Sequence, residues 1–336
     1  MTAPLLEVEG LTKHFPVTRG LLRRSVGLIR AVDEVSFHIG QGETLGLVGE
    51  SGCGKTTSGR LILRLLDLTA GRVVFRRNGD AVDLGELEGE DLRRFRKHMQ
   101  LIFQDPFSSL NPRMSVFDII AEPLRAHRFG SRREIQDRVY ETSRACGLPQ
   151  EYLRRYPHAF SGGQRQRICI ARALALYPEL VICDEPVSAL DVSVQAQIIN
   201  LLKDLQEQRG LTYLFIAHDL SVVENISARV AVMYAGRIVE LSPTRELFHS
   251  PLHPYTEALM AAVPVPDPAV RGRRRPLPGE VADPSALPSG CAFHPRCPYV
   301  RDECRQQIPE LRDIVSGRRA ACHRVEELHL EGVAAS

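Results

Sequence analysis

The sequence predicts an α/β fold with a parallel sheet at its core, followed by a small, loop-rich C-terminal extension. Apolar runs of strand length alternate with segments of helical spacing, which is typical of a parallel sheet covered by helices. One of these strands leads through a glycine-rich turn directly into a helix pattern. After about Leu241 prolines accumulate, especially over residues 262–290, and they predict extended structure. We therefore expect a main domain at residues 5–250 and an extension at 251–336.

The individual elements follow from these patterns in chain order. The predicted strands are residues 5–15 and 31–40, ETLGLVG, GRVVF, HMQLIFQ, ELVICDE, TYLFIAH, and a pair within ARVAVMYAGRIVEL that turns at Ala235 and Gly236. The predicted helices are TTSGRLILRLL and residues 131–146, 164–176 and 193–209. The last helix should end at Gly210, because glycine tolerates the left-handed conformation common at helix C-termini.

The bulk composition excludes several classes of protein. The 336 residues carry a formal net charge of +2 and no tryptophan, so neither a basic field nor stacking aromatics points to nucleic acid. No apolar run approaches the ~18 residues that span a bilayer. The N-terminus MTAPLLEVEG lacks the basic and apolar regions of a signal peptide. We expect a cytosolic chain, and any membrane spans it works with must come from another chain.

The stretch GESGCGKTT predicts a nucleotide phosphate site, because it matches G-x-x-x-x-G-K-[ST] between a strand and a helix. Backbone N–H groups of such a loop surround phosphates, and the helix N-terminus adds positive potential. Lys55 can reach the β- and γ-phosphates, and the Thr56 hydroxyl can bind Mg²⁺. A plain glycine turn is the weaker alternative. The candidate nucleotide-binding residues are Gly49, Glu50, Ser51, Gly52, Cys53, Gly54, Lys55, Thr56 and Thr57.

Two carboxylates end the apolar strand ELVICDE. Asp184 is placed to hold Mg²⁺, and Glu185 can polarise an attacking water as a general base. An apolar strand ending in Asp-Glu is common by itself, so this interpretation depends on the phosphate loop in the same chain.

The stretch FSGGQRQR predicts the start of a helix. Ser161 and Gln164 fit the S-x-x-Q capping box. Capping alone does not explain Gly162 and Gly163 inside the first turn, where a glycine costs ~1 kcal/mol relative to alanine. Exposed backbone N–H groups there could instead contact an anion.

Together these motifs resemble those of the ATP-binding cassette (ABC) ATPases. Further family elements occur in order: an aromatic at Phe15 for adenine, Gln104 in the Q-loop, Ser188-Ala189-Leu190-Asp191 in the D-loop and His218 in the H-loop. Taken singly, each has a simpler interpretation: Phe15 and His218 as core residues, Gln104 as a polar strand end, Asp191 as an N-cap. The resemblance covers residues 5–241. It implies an ABC-type P-loop NTPase core, namely a mixed sheet with an antiparallel β part, and a helical subdomain at about 105–172.

The resemblance also implies how the site residues act. In this family two cassettes stack head to tail, and ATP lies between the phosphate loop of one and the signature of the other. Thr56, Gln104 and Asp184 would hold Mg²⁺, Glu185 would activate water, and His218 would contact the γ-phosphate. Ser161, Gly162, Gly163 and Gln164 form the signature; Ser161 and Gly163 would contact ATP on the partner cassette, and Asp191 would couple the two sites.

Within the family, QDPFSSLNPRM and LHPYTEAL (Leu252 to Leu259) look like ATPase subunits of dipeptide and oligopeptide importers. The implied partners are a second, non-identical cassette, two membrane permease subunits and an external substrate-binding protein, and the implied location is the cytoplasmic face of the plasma membrane. Residues 104–125 would form part of the groove for the permeases. Importers of nickel, glutathione or other small ligands remain alternatives. A nucleotide-controlled, metal-binding regulatory module without transport is an alternative of another class.

The extension contains four clustered cysteines, Cys291, Cys297, Cys304 and Cys322, spaced C-x5-C-x6-C-x17-C. An ATPase that uses cytosolic ATP lies where thiols stay reduced, which disfavours disulfides. Four thiolates suit a [4Fe–4S] cluster, and related importer ATPases carry clusters in this extension. Zinc, with His294 or His323 as further ligands, and chance clustering remain alternatives.

Overall fold

The computed structural model describes residues 3–19, 24–262, 279 and 282–332. The strands among them are β1 (Leu6–Arg19), β2 (Arg24–Ile39), β3 (Thr44–Val48), β4 (Ala70–Arg77), β5 (Asp80–Asp83), β6 (Met99–Ile102), β7 (Leu180–Asp184), β8 (Thr212–Ala217), β9 (Arg229–Tyr234), β10 (Arg237–Pro243), β11 (Arg312–Val315) and β12 (Arg318–Ala320). The helices are α1 (Lys55–Ile62), α2 (Gly89–Phe95), α3 (Val116–Ala126), α4 (Arg132–Ala145), α5 (Gly162–Leu174), α6 (Val192–Arg209), α7 (Leu220–Ile226), α8 (Thr244–His249), α9 (Pro254–Ala262) and α10 (Asp302–Gln306).

Each strand and helix that the sequence predicted is confirmed within a few residues. Gly210 ends α6 in the left-handed region, with φ of 63°. Several elements of the described residues were not predicted: the first part of β2, which begins in a basic segment, the strands β5, β11 and β12, and the helices α2, α3 and α7 to α10. Most of the proline-rich segment 262–290 lies outside the described residues.

The chain separates into two compact units, each assembled from several stretches. The helical unit contains residues 39–43 and 86–216, and the sheet unit contains the described parts of 3–38, 44–85 and 217–336. The candidate site residues are divided between them.

In the helical unit three strands run parallel in the order β8, β7, β6, with Ile182 opposite Leu214 and Leu101. Every residue of β7 is buried, as expected for a strand covered on both faces. Helix α5 packs against α3, α4 and α6 and buries Ile168, Ile170 and Leu174.

The sheet unit has two arrays of strands. The first has the order β2-β1-β4-β5, in which β1–β4 and β4–β5 are antiparallel. The second runs β11-β12-β10-β9-β3, where β3 and β9 are parallel and the other pairs are antiparallel. The parallel core and the antiparallel part that the sequence led us to expect are thus both present.

Candidate functional site

The phosphate loop links β3 to α1, and its glycines are required by close backbone approaches. A Cβ on Gly49 would lie 2.1 Å from the carbonyl oxygen of Met233, and one on Gly54 would lie 2.2 Å from that of Ala31. Gly54 also has φ of 108° as the residue that precedes helix α1, a conformation that side chains disfavour. The loop shape therefore follows from its backbone and its neighbours.

Lys55 is the first residue of α1, and its ammonium group folds back over the loop. Its Nζ donates hydrogen bonds to the carbonyl oxygens of Gly49 (2.7 Å) and Glu50 (2.9 Å), and the residue is 5% exposed. A buried cation at a helix N-terminus favours an anion. At Gly52 there is no atom within 4 Å of where a Cβ would stand, so the loop offers open space at this point. The donor set fits a bound phosphate group.

The other predicted loop residues surround this cation. Cys53 is buried, and burial raises the pKa of its thiol although Lys55 opposes the shift. Thr56 and Thr57 are half-buried in the first turn of α1, and Ser51 is exposed. Phe15, on β1, is half-buried rather than in the core, and the Lys13 ammonium lies 5.2 Å from its ring centroid.

The helical unit brings the predicted carboxylates and the Q-loop glutamine together. Asp184 is the last residue of β7 and is 5% exposed. Glu185 follows with φ of 47°, an uncommon conformation for a residue with a side chain, and its N–H donates to the carbonyl of Ile216 (3.0 Å). Gln104 Nε2 donates to Glu185 Oε2 at 2.8 Å. This hydrogen bond orients the carboxylate that the sequence assigned as general base.

The signature contains the predicted capping box, and close packing explains why glycine occupies its first turn. Ser161 Oγ accepts from the Gln164 N–H, and Gln164 Oε1 accepts from the Ser161 N–H. A Cβ on Gly163 would lie 2.5 Å from Val194 Cγ1, and one on Gly162 would lie 3.3 Å from Leu190 Cδ2. Close packing against the D-loop and α6 thus accounts for at least Gly163, an explanation that the sequence argument did not include.

Asp191 caps a helix, and His218 follows the end of a strand. Asp191 is the N-cap of α6, and its Oδ1 accepts from the Val194 N–H (2.9 Å) and the Ser193 hydroxyl (2.7 Å). The N-cap interpretation is therefore confirmed for this residue, whatever further role it has. His218 directly follows β8, belongs to the sheet unit and is exposed, so it is not a core histidine.

The four cysteines of the extension line one cavity, which we call the thiol pocket. All four are free thiols. The Cys291 N–H donates to the Cys304 carbonyl (2.8 Å), which ties the two segments together. Burial raises the pKa of Cys291 to about 12 and that of Cys297 to about 11, although the Arg324 guanidinium opposes the shift at Cys297, so both thiols favour the protonated form at neutral pH.

The thiol pocket does not have the geometry of a single-ion site. Among the described residues, no group of three or more His, Cys, Asp or Glu side chains could hold one metal ion. The Nδ1 of His294 faces the Cys291 carbonyl at 3.0 Å. The two ring nitrogens of His323 face Gln307 and Glu303. The contacts of these two histidines therefore do not support a zinc site.

None of the helices in the described ranges has the length and apolar character needed to cross a membrane. The chain matches the family model described as ABC transporter over residues 32–188. It also matches the model described as oligopeptide/dipeptide transporter, C-terminal region, over residues 239–304.

Similar proteins extend over nearly the whole chain. A probable peptide ABC transporter ATP-binding protein of Sinorhizobium fredii is 55% identical over 96% of this chain and 90% of its own length. The oligopeptide transport ATP-binding protein AppF of Bacillus subtilis is 51% identical over 95% of this chain and 97% of its own. A solved dimeric structure of an ATP-binding cassette in a post-hydrolysis state, bound to ADP and Pi, covers 71% of this chain and 99% of its own, with a TM-score of 0.62 and 28% identity.

Proposed function

We infer the function of this chain from its family: it belongs to the ABC transporter ATP-binding proteins of the oligopeptide/dipeptide branch. It is an ATPase that powers the import of dipeptides or oligopeptides. The single observation that best supports catalysis is the hydrogen bond from Gln104 to Glu185, directly beside the buried Asp184.

Different groups of the chain bind the phosphates, accept the proton of the attacking water and hold Mg²⁺. Lys55 and the loop N–H groups bind the phosphates of ATP, where positioning and electrostatics supply most of the catalysis. Glu185 accepts a proton from the attacking water. Gln104 uses Nε2 to orient Glu185, and Mg²⁺ would be held by Thr56, Asp184 and the amide oxygen of Gln104. When bound, Mg²⁺ neutralises charge that develops on the phosphate oxygens.

The partners follow from the same family. A second, non-identical cassette would present its signature to ATP on this chain, and Ser161 and Gly163 would act on the partner's ATP. Asp191 would couple the sites, and His218 would contact the γ-phosphate. Phe15 would stack on adenine. The complex would sit at the cytoplasmic face of the plasma membrane with two permease subunits and an external substrate-binding protein.

An exposed aromatic surface of the helical unit, at and just before the start of residues 104–125, supports permease docking at this segment. Phe107 is 57% exposed and Phe103 40% exposed. The guanidinium of Arg165 lies 4.1 Å from the Phe107 ring centroid. An amphipathic helix of a membrane subunit fits such a mixed apolar and basic surface.

We further propose that the thiol pocket holds a [4Fe–4S] cluster. Four thiols around one cavity are the donor set of such a cluster, and a cluster is wider than a single ion, so its ligands need not converge on one point. Its iron would lower the pKa of the buried thiols and bind them as thiolates. Brown protein with absorbance near 400 nm supports this assignment, and colourless protein with stoichiometric zinc contradicts it.

The test of the function is Glu185→Gln in the purified complex. Hydrolysis of ATP and peptide uptake should fall by about 10²–10⁴-fold, because the general base is lost, while ATP binding persists. Glu179→Gln, a carboxylate that precedes the same strand and pairs with His98, is the matched control and should retain activity. Uptake that survives Glu185→Gln, or a complex without transmembrane partners, favours the non-transport regulatory module. Uptake of nickel or glutathione instead of peptides assigns a different substrate.

A further inference from the structure

Glu50, at a variable position of the phosphate loop, has contacts with the extension as well as with the loop. Its carboxylate accepts two hydrogen bonds from the guanidinium of Arg296, at 2.7 and 3.0 Å. Its N–H donates to the hydroxyl of Tyr255 at 2.8 Å. Its carbonyl oxygen accepts from Lys55. One residue of the loop thus connects the phosphate-binding lysine to two side chains more than 200 positions away.

Arg296 is a buried arginine in the segment that carries the cysteines. It lies in a short 3₁₀ turn, His294–Arg296, directly before Cys297, and is only 5% exposed. Its guanidinium is 6.0 Å from the ring centroid of Tyr234 and 5.9 Å from that of Phe293. A bidentate arginine–carboxylate pair fixes direction as well as distance, so Arg296 restrains where Glu50 can lie.

Tyr255 supplies the second restraint from helix α9. It is fully buried, and its ring packs against Tyr234 (4.7 Å between centroids) and Phe293 (5.4 Å). Such an aromatic cluster holds the hydroxyl in a fixed position. Because a partly buried N–H gains from having an acceptor, the hydroxyl stabilises the observed conformation of Glu50.

The far side of the loop is held by the turn between β9 and β10. The Gly236 N–H donates to the carbonyl of Cys53 at 3.0 Å. The loop is therefore restrained at Cys53 by the main domain and at Glu50 by the extension.

We propose that Arg296 and Tyr255 are positioning residues for ATP hydrolysis, which hold the phosphate loop through Glu50 in the conformation that binds the nucleotide. The proposal deepens the proposed function and rests on it. Neither side chain has to touch ATP, because the effect passes through Glu50 to the carbonyl that holds Lys55. A small displacement of a binding group has a large effect on how a ligand is held. Loss of the restraint should thus weaken ATP binding more than it slows chemistry at saturating ATP.

The experiment compares Arg296→Gln, Arg296→Lys and Tyr255→Phe in the full-length chain, purified with its permease and cassette partners. The probe is MgATP. In Arg296→Gln the KM for ATP should rise about tenfold, with kcat within about twofold. Arg296→Lys keeps the positive charge but loses the planar guanidinium that binds both carboxylate oxygens. It should recover part of the affinity for ATP. Tyr255→Phe, which keeps the ring, should raise KM about threefold.

Three further measurements separate positioning from a general structural role. Arg312→Gln, an extension arginine paired with Glu326, is the matched control and should leave KM unchanged. Iron content should stay native in Tyr255→Phe, and its melting temperature should fall only slightly. Glu50→Gln combined with Arg296→Gln should raise KM no more than either change alone, because both remove the same contact.

The inference is overturned if Arg296→Gln folds with native stability and its KM stays within about twofold of wild type. It is also overturned if KM rises only in variants that lose iron or have a lowered melting temperature, while the KM of Tyr255→Phe equals that of wild type. Equilibrium binding of ATP in a Glu185→Gln background distinguishes this failure from that of the proposed function. A wild-type chain that binds ATP without hydrolysing it contradicts the proposed function. Even then, comparing ATP affinity with and without Arg296→Gln tests whether Arg296 holds the loop.

Discussion

The phosphate loop and the thiol pocket both lie in the sheet unit, yet they are built in different ways. The loop joins a buried strand to a helix, and backbone contacts at Gly49 and Gly54 define its shape. The pocket is lined by the three-residue turn, the five-residue helix α10, the start of α9 and the segment around Cys322. Lys55 places a buried cation in the loop, whereas in the pocket burial raises the pKa of the Cys291 and Cys297 thiols although Arg324 opposes the shift at Cys297. We conclude that the loop takes its shape from its own backbone contacts, and we propose that a bound cluster would stabilise the pocket.

The largest expected effect is on the loop. Gly49→Ala places a Cβ 2.1 Å from the Met233 carbonyl and should weaken ATP binding on the order of 100-fold, because the loop has to move. Iron content should be unaffected. Gly27→Ala in β2, where a Cβ meets nothing within 4 Å, is the control. Iron loss in Gly49→Ala as large as in Cys297→Ser would show that the pocket depends on the shape of the loop.

A smaller effect is expected at the pocket. If the proposed cluster is bound, Cys297→Ser should abolish iron binding and lower the melting temperature by about 5 °C, since the binding energy of a cluster contributes to folding. Hydrolysis at saturating ATP should change less than about twofold. Cys169→Ser is a control, because the cysteine sulfur already lies 3.3 Å from the Ser109 hydroxyl. A thermal unfolding curve unchanged by Cys297→Ser would show that the pocket folds without a ligand.

The smallest effect concerns pH and His253, a buried residue that lines the pocket. Burial lowers the pKa of His253 to about 3, so the unfolded chain binds a proton below about pH 6.5 that the folded chain rejects until about pH 3. Stability is therefore lost as pH falls through this window. Between pH 7 and pH 5 this histidine should cost about 2 kcal/mol of unfolding free energy.

The measurement is denaturant unfolding at both pH values for the wild type and His253→Gln, with the exposed His249→Gln as control. Glu240, whose carboxyl accepts the backbone N–H groups of Leu252 and His253, acts in the opposite direction. Burial raises its pKa, so its protonation in the folded state partly offsets the loss. A pH slope that is equal in the wild type and His253→Gln would contradict the assignment.

The sequence predicted elements whose formation depends on local patterns. The continuous apolar runs of β7 and β8, the capping box at Ser161 and the glycine C-cap at Gly210 are encoded within a few residues of where they act. The first part of β2 was missed because RRSVGLIR has charges that suggest a loop, and its strand conformation depends on pairing with β1.

The contacts that distinguish this molecule could not be predicted because their partners are remote. Nothing around Arg296 indicates that it binds Glu50, and nothing around Gly163 indicates the approach of Val194. From the sequence, Glu240 is an ordinary polar residue of a strand. Its burial depends on the N–H groups of residues 252 and 253, which donate to its carboxylate. The assignment of individual residues to ATP, to Mg²⁺ and to the partner cassette stays a prediction, as do the domain limits 5–250 and 251–336.

The pairing of β12 with β10 has a consequence for the solubility of the protein. The Ala321 N–H donates to Val239 (2.8 Å), and Ala320 lies opposite Glu240, so the extension covers the flank of a strand that is almost entirely buried. The strand at this edge of the sheet is instead β11, which has only four residues and carries charged side chains at Arg312 and Asp313. Short, charged edge strands resist pairing with other chains. A chain truncated after Ser250 would expose an apolar edge strand, and we expect it to aggregate.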